Sequence, residues 1–234
     1  MNLIAKLSAL ATFAVVSATL ASAAPITLAS YGMNGTQSAG AANSALAYQG
    51  YNASINYATA GGTLTGTGTS YSLVMPAGQT IWANALAGSS YVSNNAGDGP
   101  GGSNVETNGT YVYTSTFNLG SGDFGGSLSL LADDTATVKL NGFTIFAANT
   151  VSGFPHCASA VPNCLTVDTA QLYSNMFVNG VNTLEIDLVQ GGSDRLGVDF
   201  AGSIVPTPEP NSLMLLGTGL AGSAGAFMRK LRRA

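Results

Sequence analysis

Two cysteines, one histidine, one tryptophan and a few clustered acids are where this sequence has chemistry to offer. Cys157 and Cys164 lie close together, with His156 beside the first and Pro155 and Pro162 shaping the loop. In an oxidising compartment such a pair closes a local disulfide. Held reduced, it would supply two zinc ligands with His156 as a third, but no fourth ligand lies near in sequence. The disulfide is the expectation. A Ser-His-Asp triad would have to use His156, and no Gly-x-Ser-x-Gly elbow is present, so no catalytic residue is expected. Asp133 and Asp134 precede a hairpin, where they could cap a loop or ligate Ca²⁺, which prefers oxygen donors. They are weak calcium candidates, with Asp98 and Glu106 in a Gly/Asn-rich loop as further oxygen donors; no EF-hand loop pattern is present. Two acids about 5–10 Å apart across a cleft would make a glycosidase pair, a spacing that only a fold can supply. Trp82 has Tyr91, Tyr111 and Tyr113 nearby in sequence. An aromatic face can stack on a sugar ring, so Trp82 and Tyr91 are candidate ligand-binding residues. Ordinary core packing is the competing reading for Trp82.

These residues need a scaffold, and period-two alternation supplies its clearest trace. In Thr135–Leu140, Ala136, Val138 and Leu140 face one way and Thr135, Thr137 and Lys139 the other. Asn141-Gly142 follows, then Phe143–Phe146. Asn-Gly between alternating runs is a hairpin signal, because a type I′ turn needs positive φ at both central residues. Leu184, Ile186 and Leu188 alternate with Glu185 and Asp187, which are expected to face solvent. Leu196, Val198 and Phe200 alternate likewise. Tyr111–Phe117 and Ser127–Leu131 also read as strands, and Tyr173–Phe177 as a short helical turn. Weaker strands fit Ser54–Thr59, Tyr71–Met75 and Thr80–Ala83. Short alternating strands separated by turns indicate an all-β, antiparallel β-sandwich.

Only 8% of the residues are charged, against a typical ~25%. Within residues 24–205 stand two basic residues, Lys139 and Arg195, against ten acids, a balance of −8. A nucleic-acid-binding domain needs a basic footprint, so that class is excluded.

The two ends read as addresses. Lys6, the apolar stretch Leu7–Leu20 and the small-residue site Ala21-Ser22-Ala23 make residues 1–23 a secretory signal for signal peptidase, rather than a first membrane helix. The domain then runs over residues 24–205. Residues 206–234 hold Pro208-Glu209-Pro210, an uncharged stretch from Ser212 to Met228, and the basic cluster Arg229, Lys230, Arg232 and Arg233. A 17-residue helix rises about 25 Å, near the short limit for a bilayer span. The basic cluster would stay cytoplasmic. The precursor is thus expected to be anchored in the inner membrane before it reaches the cell envelope or the exterior.

That order of parts resembles the PEP-CTERM sorting signal. The resemblance implies an exosortase as partner, with cleavage near the Pro-Glu-Pro motif. It also implies a host that makes exopolysaccharide and lives in biofilm or floc. A plain single-pass anchor with a proline-rich neck is the alternative. Within the domain, Leu131–Gly142 resembles the central hairpin of galactose-binding-like jelly rolls. Val178–Ile186 is similar to the lead-in to one of their late strands, with Leu172 and Phe177 filling the positions before it. This resemblance implies a jelly-roll fold more than an activity. The expected role is a non-catalytic envelope or matrix protein that recognises polysaccharide. A purely structural or adhesive matrix component and an exopolysaccharide hydrolase are the competing classes.

Overall fold

Two long antiparallel strand pairs form the walls of the domain. In the computed structural model, which describes residues 24–31, 42–52, 68–73, 75–150 and 157–207 and short helical pieces at 217–219, 221–223 and 228–229, eleven strands form one continuous ladder. In chain order they are β1 (Ile26–Ala29), β2 (Ala42–Asn52), β3 (Gly68–Ser72), β4 (Val92–Ser93), β5 (Gly109–Leu119), β6 (Phe124–Asp133), β7 (Thr135–Leu140), β8 (Phe143–Phe146), β9 (Asp168–Leu172), β10 (Gly180–Gln190) and β11 (Gly197–Pro206).

One wall is β8-β7-β10-β5-β2, built on β5 and β10 paired from Gly180 opposite Leu119 to Gln190 opposite Gly109. The other is built on β6 and β11, with β9 on one flank and β1 and β4 on the other. Strands β3 and β4 carry the ladder from one wall to the other, and every pairing is antiparallel. The alternation has a physical outcome here. Tyr111, Tyr113, Leu184, Ile186 and Leu188 from the first wall meet Leu128, Leu130, Val198, Phe200 and Ile204 from the second in one buried cluster. The fold is an all-β antiparallel sandwich, as the sequence predicts.

The Asn-Gly hairpin forms as expected. Asn141 and Gly142 have φ of 51° and 85°, the positive pair that a type I′ turn requires. Asn141 does more than turn the chain: its amide donates to the Met176 carbonyl at 2.9 Å and to Asn182 Oδ1 at 2.7 Å. A 3-10 turn forms at Ser174–Met176, inside the predicted Tyr173–Phe177.

Two weaker expectations are corrected. Thr80–Ala83 is not a strand. The Gln79 side chain takes the backbone N–H groups of Ile81 and Trp82 at 2.9 and 3.0 Å and donates to the Trp82 carbonyl, so those groups are unavailable to a ladder. The strand expected at Tyr71–Met75 lies earlier, at Gly68–Ser72. The expected strand at Ser54–Thr59 falls outside the described residues, as do residues 1–23, His156, Pro208, Glu209, Pro210, Lys230, Arg232, Arg233 and most of 212–228. Among the described residues, no helix is long and apolar enough to cross a membrane.

The sandwich has two unlike ends. At one, β6 and β10 stop at Asp133 and Gln190 while β5 and β11 begin. At the other lie the β5–β6 and β7–β8 turns, the segment between β9 and β10, and the end of β11, where Thr207 N–H donates to the Asp123 carbonyl at 2.9 Å.

Candidate functional site

The first end gathers acids. Asp134 stands between β6 and β7 and is fastened there by backbone bonds. Its N–H donates to Val189 O and its carbonyl accepts from Ala158 N–H, both at 3.0 Å, while Gly191 N–H donates to its Oδ2 at 2.6 Å. Asp133 beside it is fully buried. Its Oδ2 accepts the Trp82 indole N–H at 2.5 Å. Its Oδ1 is buried without a hydrogen-bond partner among the described residues. Burial first, and then the charge of Asp134, push the Asp133 carboxyl well above the usual range; the indole N–H acts in the opposite direction.

A buried carboxylate with an unpartnered oxygen is costly. Two adjacent buried carboxyls relieve that cost by sharing a proton or by taking a cation between them. The donors here are hard oxygens, which fit Ca²⁺ better than zinc.

Cys157 and Cys164 form a disulfide with a Cα–Cα distance of 5.5 Å. The Asp133 carboxylate and the two sulfurs lie within 4.8 Å of one another, but sulfurs bonded to each other are not thiolate ligands. The bridge instead holds the loop that covers the acid pair: Asn163 O accepts from Ala132 N–H, Cys164 O from Ala83 N–H, and Pro162 O from the Thr135 hydroxyl. Replacing both cysteines with alanine is expected to cost about 2–3 kcal/mol on the loop-entropy argument. A lower denaturant midpoint would register it; an unmoved midpoint would count against the bridge as a staple.

The structure corrects the aromatic platform. Trp82 and Tyr91 are buried, at 3% and 0% exposure, with ring centroids 4.8 Å apart. They pack with Leu73, Leu131 and the two cysteines in a second, smaller core. Neither offers a face to a sugar. The core-packing reading holds for Trp82, whose polar edge is occupied by Asp133.

Other acids are held in three arrangements. Asp98 and Glu106 come together through Asn104, whose amide donates to Asp98 Oδ1 at 2.5 Å and to Glu106 Oε1 at 2.6 Å. The Ser93 hydroxyl donates to Asp98 Oδ2 at 2.5 Å, and Tyr111 OH to Glu106 Oε2 at 3.0 Å. Glu106 N–H in turn donates to Asp194 O, which places this cluster at the same end of the sandwich. Asp199, buried in β11, accepts from the Ser30 hydroxyl at 2.9 Å, from Leu86 N–H at 2.7 Å and from the Ser89 hydroxyl. It therefore ties the chain after β1 and the loop before β4 to one carboxylate. No local sequence pattern encodes this arrangement, since its partners lie more than a hundred residues away. Glu185 and Asp187 share Lys139, at 2.9 and 2.7 Å, on a half-exposed face.

The other end of the chain carries a different signal. Residues 206–233 match the PEP-CTERM protein-sorting motif. The PEP-CTERM motif implies an exported protein processed at the membrane by an exosortase. Pro208, Glu209, Pro210, Arg229, Lys230, Arg232 and Arg233 all fall inside the match. Its first residue, Pro206, is also the last residue of β11, so the motif starts where the fold stops.

No curated protein matches the chain. Among solved structures, it is similar to the β-glucosidase of Kluyveromyces marxianus in complex with glucose, at 12% identity over 77% of this chain and 18% of that one, with a TM-score of 0.35. The chain thus spans less than a fifth of that enzyme's length. It is similar to a family 35 carbohydrate-binding module from Clostridium thermocellum, at 15% identity over 53% of this chain and 84% of that one, TM-score 0.29. A module of the same family from Paenibacillus barcinonensis gives 16% identity over 56% and 87%, TM-score 0.25.

Proposed function

We propose that this protein is a non-catalytic, polysaccharide-binding module of the cell envelope, with Ca²⁺ held by Asp133 and Asp134 at the acidic end. Signal peptidase removes residues 1–23. Residues 212–228 span the inner membrane in the precursor, with Arg229, Lys230, Arg232 and Arg233 on the cytoplasmic side, until an exosortase acts at Pro208-Glu209-Pro210.

The single observation that carries the calcium reading is the Asp133 Oδ1 atom, buried and unpartnered beside a second buried carboxylate. Bound there, Ca²⁺ would neutralise the pair and offer coordination to sugar hydroxyls, which are the oxygen donors it takes. The two segments bonded directly around the pair, 157–164 and 191–193, carry no charged residue, which leaves room for a neutral polyhydroxylated ligand.

A second reading has its own support. The burial of Asp133 and Asp134, at 0% and 2% exposure, favours an ion that only staples the loops, in a structural matrix component.

One experiment separates these readings. The full chain in detergent is melted, and titrated with exopolysaccharide from the producing cells, in Ca²⁺ and in chelator. Stabilisation of about 2.7 kcal/mol is expected at Ca²⁺ a hundredfold above Kd, with saturable polysaccharide binding that the chelator abolishes. Asp133→Asn, whose amide oxygen can still accept the Trp82 N–H, should remove both effects. Stabilisation without binding would favour the structural reading. Indifference to Ca²⁺ would mean that a proton bridges the pair.

A further inference from the structure

The end of the sandwich opposite the acids carries a rim of exposed apolar side chains. Phe143 follows the Asn-Gly turn, Tyr173 and Val178 flank the 3-10 turn, Val181 opens β10 and Val205 nearly closes β11. Tyr173 and Val181 are 61% and 60% exposed. Tyr173, Val205 and Thr207, together with Gly125 and Gly126, line a shallow groove of about 490 Å³. Register places these residues together: Pro206 lies opposite Phe124, Leu172 opposite Gly126, and Gly180 opposite Leu119. Asn141 ties the hairpin to the same end through Met176 O and Asn182. The segments that form this end, 120–123, 141–143, 173–181 and 205–207, hold a single charge, Asp123. Asp98, Glu106, Asp133, Asp134 and Asp194 all lie at the far end.

The chain leaves the domain at this rim. Thr207 is bonded to the Asp123 carbonyl, and the uncharged stretch begins at Ser212. Five peptide steps reach at most about 18 Å. The headgroup layer on each side of a bilayer takes up about 6 Å of that. β1 runs antiparallel to β11 with Ile26 opposite Ile204, so the segment that follows the signal cleavage site starts at the same end. We propose that this uncharged rim rests on the lipid surface of the membrane in the precursor, which points the acidic end away from it. Tyr173 suits that position, since an amphipathic aromatic ring settles at the headgroup level. The separation of charge acts in the same sense wherever the facing leaflet carries anionic lipid, since the acidic end is repelled within about a Debye length of it and the rim is not. The inference rests on the reading of 212–228 as a membrane span.

The test uses the full chain reconstituted in phosphatidylcholine–phosphatidylglycerol vesicles, with and without brominated acyl chains that quench indole. Tyr173→Trp and Val181→Trp place a reporter in the rim, and Val105→Trp places one at the acidic end. Emission is compared with that of the parent, whose Trp82 is buried. Flotation with the vesicles and resistance to alkaline extraction establish the span separately. The expected result is loss of most of the introduced emission for Tyr173→Trp and Val181→Trp, and none for Val105→Trp. Equal quenching at both ends, or none at the rim in a chain that floats and resists extraction, would overturn the proposal while leaving the span intact. Failure to resist extraction would remove the span and the proposal with it. A rim shielded from lipid together with chain–chain crosslinking at low protein-to-lipid ratio would assign the rim to a second copy instead. Val181→Trp keeps the test decisive if Tyr173→Trp does not fold.

Discussion

Trp82→Ala should cost the domain about 3–5 kcal/mol, the usual range for removing a buried large aromatic, and should act on the fold before it acts on any ligand. The ring lies against β11 and the loop after β4 at very short range. A Cβ added at Gly197 would meet the indole at 2.6 Å and Leu73 at 2.9 Å, and one added at Gly99 would meet them at 3.4 and 3.1 Å. The glycines are therefore part of how the indole fits. Truncation leaves a cavity walled by Tyr91, Leu73, Leu131 and the Cys157–Cys164 bridge. It also strips Asp133 Oδ2 of its donor, at about 1–3 kcal/mol for a buried acceptor left unpaired. Against a typical total stability of about 5–15 kcal/mol, that combination approaches global unfolding. Chemical denaturation followed by near-ultraviolet circular dichroism reads it directly. Trp82→Phe should recover the packing but not the hydrogen bond, and fall between the two. A fully stable Trp82→Ala variant that lost polysaccharide binding would return the indole to the ligand surface and contradict its burial.

The same residue shows what was legible from sequence and what was not. Strand β7 and its hairpin could be read because their determinants are local: alternation from Thr135 to Leu140, and an Asn-Gly pair that accepts positive φ. Strand β10 was readable for the same reason. Strand β9 was not, because Asp168–Leu172 is a short strand on the flank of β6 with one buried side chain, Leu172, so there is little apolar period to find. Thr80–Ala83 reads as a strand from composition, yet the Gln79 side chain overrides it. For the site, the Cys157–Cys164 disulfide was legible because its determinants are local, whereas the burial and bonding of Asp133 were not. Whether Trp82 stacks on a sugar or donates to a carboxylate depends on Asp133, 51 positions away. The Asp199 network spans 110 positions to Ser89 and 169 to Ser30. Such pairings arise from topology, and no spacing rule within one strand encodes them.

Asp98 supplies the second large effect, and its sign runs against the usual one for a carboxylate. Its side chain is fully buried, and its pKa is pushed from an ordinary 3.8 up to about 7. Burial is the main cause, and the neighbouring Glu106 adds to it, while the hydrogen bonds from Ser93 and Asn104 oppose both. Because the folded pKa lies above the unfolded one, the folded state holds a proton that the unfolded state has released between about pH 4 and pH 7. The stability tied to that proton is complete below the unfolded value and is lost as pH rises to about 7, at no more than about 1.4 kcal/mol per pH unit for one group. In chelator, where bound cations do not interfere, the parent should therefore melt at a higher temperature at pH 5 than at pH 7.5. Asp98→Asn should flatten that profile, since its amide mimics the protonated acid and Asn104 and Ser93 remain as partners. Some slope should persist in the variant, because burial also raises Asp133, Asp187 and Asp199. A variant that kept the whole slope would place the linked proton elsewhere, on Asp133 or Asp199, and would reduce the Asp98–Asn104–Glu106 cluster to a set of loop hydrogen bonds.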